Sequence, residues 1–327
     1  MKKSLPAWLC SLVCGTLLLV GCQKNEELDP TIAGIAVANP DFQILEDAAI
    51  RGEVVDILSN KNPNDPEGNY TVFAPTNAAF ARLGLTSAAD LLALQKPFLT
   101  ATLFYHVTGG TLAGSALQPG LVSPSALGPG RRIIRRGSST YVNGSKILAT
   151  DVQASNGTVH AIDKVLLATG SDIVQSAVAL KDAQVFTRPE LSFLVEAVLY
   201  CNLQGVLTAS PGSPQFTVFA PTDQAFKNLG TDLGVALDVP ADIRKLPQAT
   251  VTAVLLNHVV PGSQFTSELP ENARVTTAGG GQLMLGAFTE GTLTVKGTGN
   301  ASAAGMVIPD VQCTNGIVHV IDRVLLP

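Results

Sequence analysis

Apolar residues recur at broadly helical spacing in two separate stretches, Ile44, Leu45, Ala48, Val54, Val55 and Leu58, and later Phe193, Leu194, Ala197, Leu203, Val206 and Leu207. Thr31 to Ala38 and Asp172 to Phe186 read as helical openings to these stretches. Asn39-Pro40-Asp41 and Arg188-Pro189-Glu190 follow them and put a proline where a first helical turn tolerates one. A strand is predicted over Tyr70 to Phe73, broken by Ala74-Pro75. Thr76 and Asn77, with Thr222 and Asp223 later in the chain, carry short side-chain oxygens suited to cap the helix that follows. A helical stretch runs from about Pro97 to Tyr105-His106, and Gly/Pro-rich, strand-forming sequence succeeds it. Val152 to Ser155, Asn156-Gly157 and Thr158 to Leu167 read as a hairpin, because Asn-Gly suits a turn whose two residues need positive φ. Val159, Ala161 and Val165 against Ile162 and Leu166 make that last strand apolar on both faces, so it is expected at the centre of a sheet. Helices first and strands later predict an α+β unit.

The unit occurs twice. Thr71 to Phe80 (TVFAPTNAAF) returns as Thr217 to Phe226 (TVFAPTDQAF), with 8 of 10 positions identical. Asp151 to Leu167 returns as Asp310 to Leu326, with 12 of 17 identical, and Tyr105-His106-Val107 aligns with Asn257-His258-Val259. The offsets grow through 146, 152 and 159, so the second copy has longer loops. A period of that size repeats a whole domain and not a stacked supersecondary unit. The expected organisation is a leader over 1–21, a polar tether over 22–30, and domains over 31–169 and 171–327.

The leader alters the picture of the remaining composition. Lys2 and Lys3 precede an apolar run from Leu5 to Val20, about 15 residues, the length of a signal-peptide core and short of a bilayer span. It ends in Leu19-Val20-Gly21-Cys22, which resembles the lipobox of bacterial lipoproteins and marks Cys22 as the lipidated residue. Gln23-Lys24 followed by acids resembles the signal that sends lipoproteins of Bacteroidetes to the outer face of the outer membrane. The expected location is therefore the outer membrane, lipid-anchored, at the cell surface. Without residues 1–21 the charge is 19 − 26 = −7, mildly acidic and dispersed, which argues against nucleic acid as a partner. Cys201 and Cys313 remain as thiols, expected to be buried and free, although their spacing alone leaves a pairing open.

TVFAPTNAAF and NGTVHAIDKVLL, in that order and both present twice, resemble the signature segments of the fasciclin domain. The resemblance covers residues 30–169 and 171–327. It implies a wedge of two small β-sheets flanked by helices, and adhesion or surface binding instead of catalysis. It also implies a candidate contact at Tyr105-His106, a pair implicated in receptor recognition by animal members. The second copy departs from it with Asn257-His258.

Few residues offer chemistry. His106 with His160, and His258 with His319, each suggest a two-histidine site beside Asp163 or Asp322. The competing reading makes each a hydrogen-bonded core residue tying a helix to the final strand. No Gly-x-Ser-x-Gly elbow and no phosphate loop occur, and no cysteine–histidine pairing is common to both copies. No cofactor or metal is expected. One run breaks the repeat: Arg131-Arg132-Ile133-Ile134-Arg135-Arg136 stands where the second copy has Gly281 to Gly286. It reads either as an anion-binding patch for acidic glycan or lipopolysaccharide phosphate, or as an edge strand guarded by charge. The whole predicts a non-enzymatic, membrane-anchored adhesion lipoprotein with an extracellular protein or glycan ligand. The alternative is an accessory glycan-binding lipoprotein of a polysaccharide-uptake system.

Overall fold

The computed structural model describes residues 29–181, 191–208, 212 and 214–327. The leader, Cys22, most of the tether, the end of the second helical opening and Arg188-Pro189-Glu190 lie outside the described residues.

Each copy begins with helices. In the first, α1 (Ile32–Ala38), α2 (Gln43–Arg51) and α3 (Val55–Ser59) precede strand β1 (Tyr70–Pro75). Helices α4 (Asn77–Ala81) and α5 (Lys96–His106) follow. The strands are β2 (Val107–Gly109), β3 (Val122–Ser123), β4 (Arg131–Arg136), β5 (Ser139–Val142), β6 (Ser145–Ala154), β7 (Gly157–Ile162) and the short β8 (Leu167–Ala168). The second copy repeats the order with α6 (Ile173–Lys181), α7 (Ser192–Tyr200), α8 (Gln204–Leu207), β9 (Phe216–Pro221), α9 (Asp223–Leu233) and α10 (Gln248–Asn257). It closes with β10 (Val259–Pro261), β11 (Arg274–Thr276), β12 (Gln282–Leu285), β13 (Thr294–Gly297), β14 (Ala304–Cys313) and β15 (Gly316–Ile321).

The first sheet runs β2-β1-β7-β6-β5-β4-β3 and the second β10-β9-β15-β14-β13-β12-β11. In each, the last full strand lies between a parallel partner, β1 or β9, and an antiparallel one, β6 or β14. The expected pair of small sheets is one hydrogen-bonded path with two arms, joined along the ten-residue β6 or β14. Register shifts interrupt both long strands, where Asp151 (φ 61°) and Asp310 (φ 67°) take left-handed backbone. Such bulges bend a strand and let it serve two arms.

Several expected boundaries move. The helical stretch over Ile44 to Leu58 is two helices, because Glu53 (φ 55°) turns the chain left-handed after Gly52, as Asn202 (φ 55°) does between α7 and α8. Strand β1 is not broken at Ala74-Pro75: the ladder continues to Pro75 opposite Ile162, where a strand end tolerates a residue with no N–H. The last strand ends at Ile162 instead of Leu167, and Leu167–Ala168 leaves the first domain to pair in parallel with Val311 and Gln312 of β14.

The sheet separates two apolar layers. Val72 and Ala74 face Phe42, Leu45, Phe80 and Leu103 on the helical side. Phe73 faces Tyr105, Ile133, Val142 and Ile162 on the other. The alternation along β1 sends neighbouring residues into opposite cores, which accounts for the motif TVFAP being apolar at every position after Thr71 in both copies.

Candidate functional site

The segments that match between the copies are used for architecture. Thr76 Oγ1 accepts from Ala79 N at 3.3 Å and Thr222 Oγ1 from Ala225 N at 3.2 Å, so both threonines cap the helix that follows. Asn77 and Asp223 do not cap their own helices. Asn77 Oδ1 accepts from Ile44 N at 2.9 Å, and Asp223 Oδ1 from Phe193 N at 2.9 Å, closing the first turn of α2 and α7 from across the domain. Neither of those helices has a side-chain cap at its own N-cap residue, Phe42 or Leu191.

The hairpin residues also act differently from expectation. The two-residue turn is Ser155-Asn156, since Ala154 already pairs with Gly157. Buried Asn156 accepts from Ile32 N at 2.9 Å and donates to Leu58 O at 3.0 Å and Asn60 O at 2.8 Å, so one side chain ties α1 to the end of α3. Asn315 does the same for Ile173 N and Leu207 O. Gly157 (φ 151°) opens β7 because a Cβ there would stand 1.9 Å from Tyr70 O.

All four imidazoles engage the backbone. His106 Nδ1 lies 2.7 Å from Thr102 O while Nε2 accepts from Leu166 N at 2.9 Å, and His258 repeats this with Val254 O and Leu325 N. His160 and His319 accept from Asp151 N and Asp310 N and reach Leu112 O and Gln264 O. Burial keeps them neutral, holding His106 and His258 at about 4 and lowering the other two. Asp163 accepts instead from Ser145 Oγ and Lys146 N, and Asp322 from Gly305 N. Among the described residues no group of three or more His, Cys, Asp or Glu is placed to hold a metal. Cys201 and Cys313 are buried and free, and burial pushes the Cys313 thiol up to about 11.

The residues singled out for binding meet at the junction of the two domains and not on an open surface. Tyr105 is wholly buried, and its hydroxyl donates to Gln312 Oε1 of the second domain and accepts from Asn143 Nδ2 at 2.8 Å. His106 is buried beside it on α5. An external partner cannot reach either side chain on the folded surface, which corrects the contact implied by the Tyr-His resemblance.

The arginine run is likewise not an open anion patch, and β4 is not a free edge at Arg131 and Arg132, where β3 pairs with it. Arg131 is 0 % exposed, lies over the Phe73 ring at 4.9 Å, and donates to Tyr105 O, Ser123 Oγ and Pro124 O. Arg132 crosses to the second domain, donating twice to Ser263 O at 3.1 Å, pairing with Glu268 at 3.0 Å and covering Phe265. Arg136 does the same with Leu269 O at 2.6 Å, Glu271 at 3.5 Å and the Phe288 ring at 4.0 Å. Arg135 alone of the four is exposed. The guanidinium groups that would have to bind an oxyanion are already engaged by carbonyls, carboxylates and rings.

A buried ion pair completes the junction. Lys164 Nζ lies 2.8 Å from Asp310 Oδ2 and donates also to Thr266 Oγ1 and Gly291 O. Asp310 further accepts from Thr266 N at 2.6 Å. Burial would raise the Asp310 carboxyl, yet the Lys164 ammonium and the Thr266 amide lower it. The fit is close: a Cβ on Gly144 would stand 1.9 Å from Asp310 Oδ2.

The partners of the arginines lie mostly outside the segments that match between the copies. Gln264 and Leu112 hold equivalent places, each carbonyl accepting from a histidine Nε2. Counting on in step, Phe265 and Glu268 stand where the first domain has Ala113 and Ala116. Arginines on one copy and acids with aromatic rings on the other are complementary charges that each copy lacks in the reciprocal place. Sequence reading saw the arginines but missed Phe265, Glu268, Glu271, Phe288, Asp310 and Gln312; the difference at Phe265 and Glu268 is visible by laying one copy on the other, whereas Asp310 and Gln312 match Asp151 and Gln153 and give no such signal.

Two α+β domains of one topology, duplicated and locked to each other, make a tandem-domain architecture in which the matching motifs build the fold. A family model described as the fasciclin domain matches residues 40–168 and 189–327, and the chain belongs to that family. It is 26 % identical over 331 residues to the transforming growth factor-beta-induced protein ig-h3 of Sus scrofa, a match covering 98 % of this chain and 45 % of that protein. The chain thus spans under half the length of that relative. It is 30 % identical over 168 residues to the immunogenic protein MPB70 of Mycobacterium bovis, covering 47 % of this chain and 83 % of that one. A solved structure of a FAS1 domain pair from the insect cell adhesion molecule fasciclin I aligns with 90 % of this chain and 96 % of its own, at 17 % identity and a TM-score of 0.38.

Proposed function

We propose that this protein is a non-enzymatic adhesion or binding lipoprotein, held in the outer membrane by lipid on Cys22 and displaying two fasciclin domains as one body at the cell surface. The observation that carries the binding role is the presence of two fasciclin domains over most of the chain, joined through Arg132, Arg136 and Lys164 so that their outer loops keep one geometry. A fixed pair of modules gains avidity when both engage one partner. The Leu19-Val20-Gly21-Cys22 run supports the anchor, and the Gln23-Lys24 start supports the surface address. The partner class is an extracellular protein or glycan.

Two measurements test this. The protein probed against matrix-protein and glycan arrays is expected to retain a small set of ligands; no retention on any surface removes the adhesion reading. Cys22→Ala is expected to release the chain from membranes into the soluble fraction, and membrane association unchanged by that substitution removes the anchor.

A further inference from the structure

Each domain holds a partly enclosed apolar cavity in the same place, under its first helix. The cavity of the first domain measures about 260 Å³ and lies between α1, α2, α3 and β1. That of the second measures about 250 Å³ and lies between α6, α7, α8 and β9. The linings are equivalent without being identical: Ala33, Ala49 and Val54 in the first correspond to Val174, Val198 and Leu203 in the second. Protein interiors hold few voids larger than a water molecule, and a larger side chain at Ala36 or Ala177 would fill this one. The two copies have diverged around the same empty volume and kept it. An apolar cavity of roughly 150 Å³ already stays dry and takes up a hydrocarbon.

We infer that each cavity binds one unbranched alkyl chain of a free single-chain amphiphile. The lining offers hydrocarbon and no spare polar partner at depth. His106 and His258 reach it, but both nitrogens of each ring are committed to the backbone. A ligand with internal polar groups would bury them unsatisfied. The volume equals that of roughly eight waters at about 30 Å³ each, the bulk of one medium-length chain, and is too small for a fused-ring lipid or two chains. The apolar track continues outward. Val37 and Ile50 are 64 % and 59 % exposed at the first mouth, and Leu199 and Val206 are 44 % and 54 % exposed at the second. A chain can therefore lie inside with its head in water. Glu46 stands on the first lining where the second has Val195, so a carboxylate head disfavours the first cavity and an alcohol head does not.

Calorimetric titration of the full chain with sodium decanoate and with 1-decanol tests this, with phosphatidylcholine vesicles as a third arm. Saturable binding of the two single-chain probes, at two sites per chain for decanol, is expected, with a melting temperature that rises with probe concentration. The cavity-filling double variant A36F/A177F is expected to weaken binding at least tenfold while melting no lower than the parent. The rim variant I50D/L199D changes only exposed positions, is expected to weaken binding similarly, and decides the matter if A36F/A177F melts early. Absence of saturable binding by both probes, undiminished binding in the rim variant, or association with vesicles alone would each overturn the inference.

Discussion

At the scale of single residues, polar groups in this protein are buried only where the backbone supplies partners. The neutral imidazoles have a measurable consequence. His106 and His258 titrate at about 4 in the folded chain, against an ordinary value of about 6.5 when unfolded. Between these values the unfolded chain binds protons that the folded chain does not. Their contribution is therefore complete above about pH 6.5 and falls away as the pH drops to about 4, by about 3 kcal/mol for each residue. Urea denaturation at pH 7 and pH 4.5 should show the midpoint fall, and a pH-independent midpoint would contradict the buried neutral state. Asn156 gives a second test. Asn156→Ala leaves one amide and two carbonyls without partners at the junction of α1 and α3 and should cost about 3 kcal/mol in chemical denaturation. That the histidines are hydrogen-bonded core residues was legible because each recurs in both copies without further ligands, but the expected helix-to-strand tie was not met: His106 and His258 join a helix to the segment after the last strand, and His160 and His319 join the last strand to its neighbour and a loop. The role of Asn156 was not legible, since an Asn-Gly pair states its turn preference and hides where its side chain goes.

At the scale of elements, the helical and strand periods located the helices, the first strand and the closing hairpin, while the short strands between α5 and β6 were expected only as a strand-forming stretch and the breaks came from local geometry. Glu53 and Asn202 end α2 and α7 in left-handed backbone, a conformation that a glutamate does not announce in sequence. Strand β4 is the clearest case of one pattern supporting two readings. RRIIRR places two arginines and one isoleucine on each face, which suits a solvent-exposed strand, yet three of its four arginines are engaged by protein groups. Arg132→Ala with Arg136→Ala should loosen the junction and leave each domain folded. Small-angle scattering would then show a larger radius of gyration at unchanged far-UV dichroism, and an unchanged radius would mean that the remaining contacts suffice. Replacing all four arginines by serine should leave retention on heparin at the parent's level, because the exposed Arg135 alone makes no patch.

At the scale of the molecule, the two domains are joined by a strand crossing, β8 on β14, and by the buried pair Lys164–Asp310. Removing one partner strands a charge in a site with little water, so Lys164→Met should cost about 3–5 kcal/mol. The double variant K164M/D310L should recover most of that, because two apolar groups leave no charge to desolvate. Calorimetry of the three proteins measures this, and a double variant no more stable than K164M would show that Asp310 is held chiefly by Thr266. A junction of this kind also predicts a single thermal transition for the parent, resolved into two when Arg132 and Arg136 are removed.

The sequence by itself determined the duplicated α+β unit, the central last strand and the family, because periodicity and repeated motifs report short-range preferences and the alternation of buried positions. Only the tertiary structure decided that Tyr105 and Arg131 are interior, that Arg132 and Arg136 face the other domain, and that each first helix roofs a cavity. Those facts depend on which surfaces meet in space, at separations from 26 residues for Arg131 with Tyr105 to 131 for Arg132 with Ser263. A charged side chain has the same identity whether water or a carboxylate from the other copy receives it.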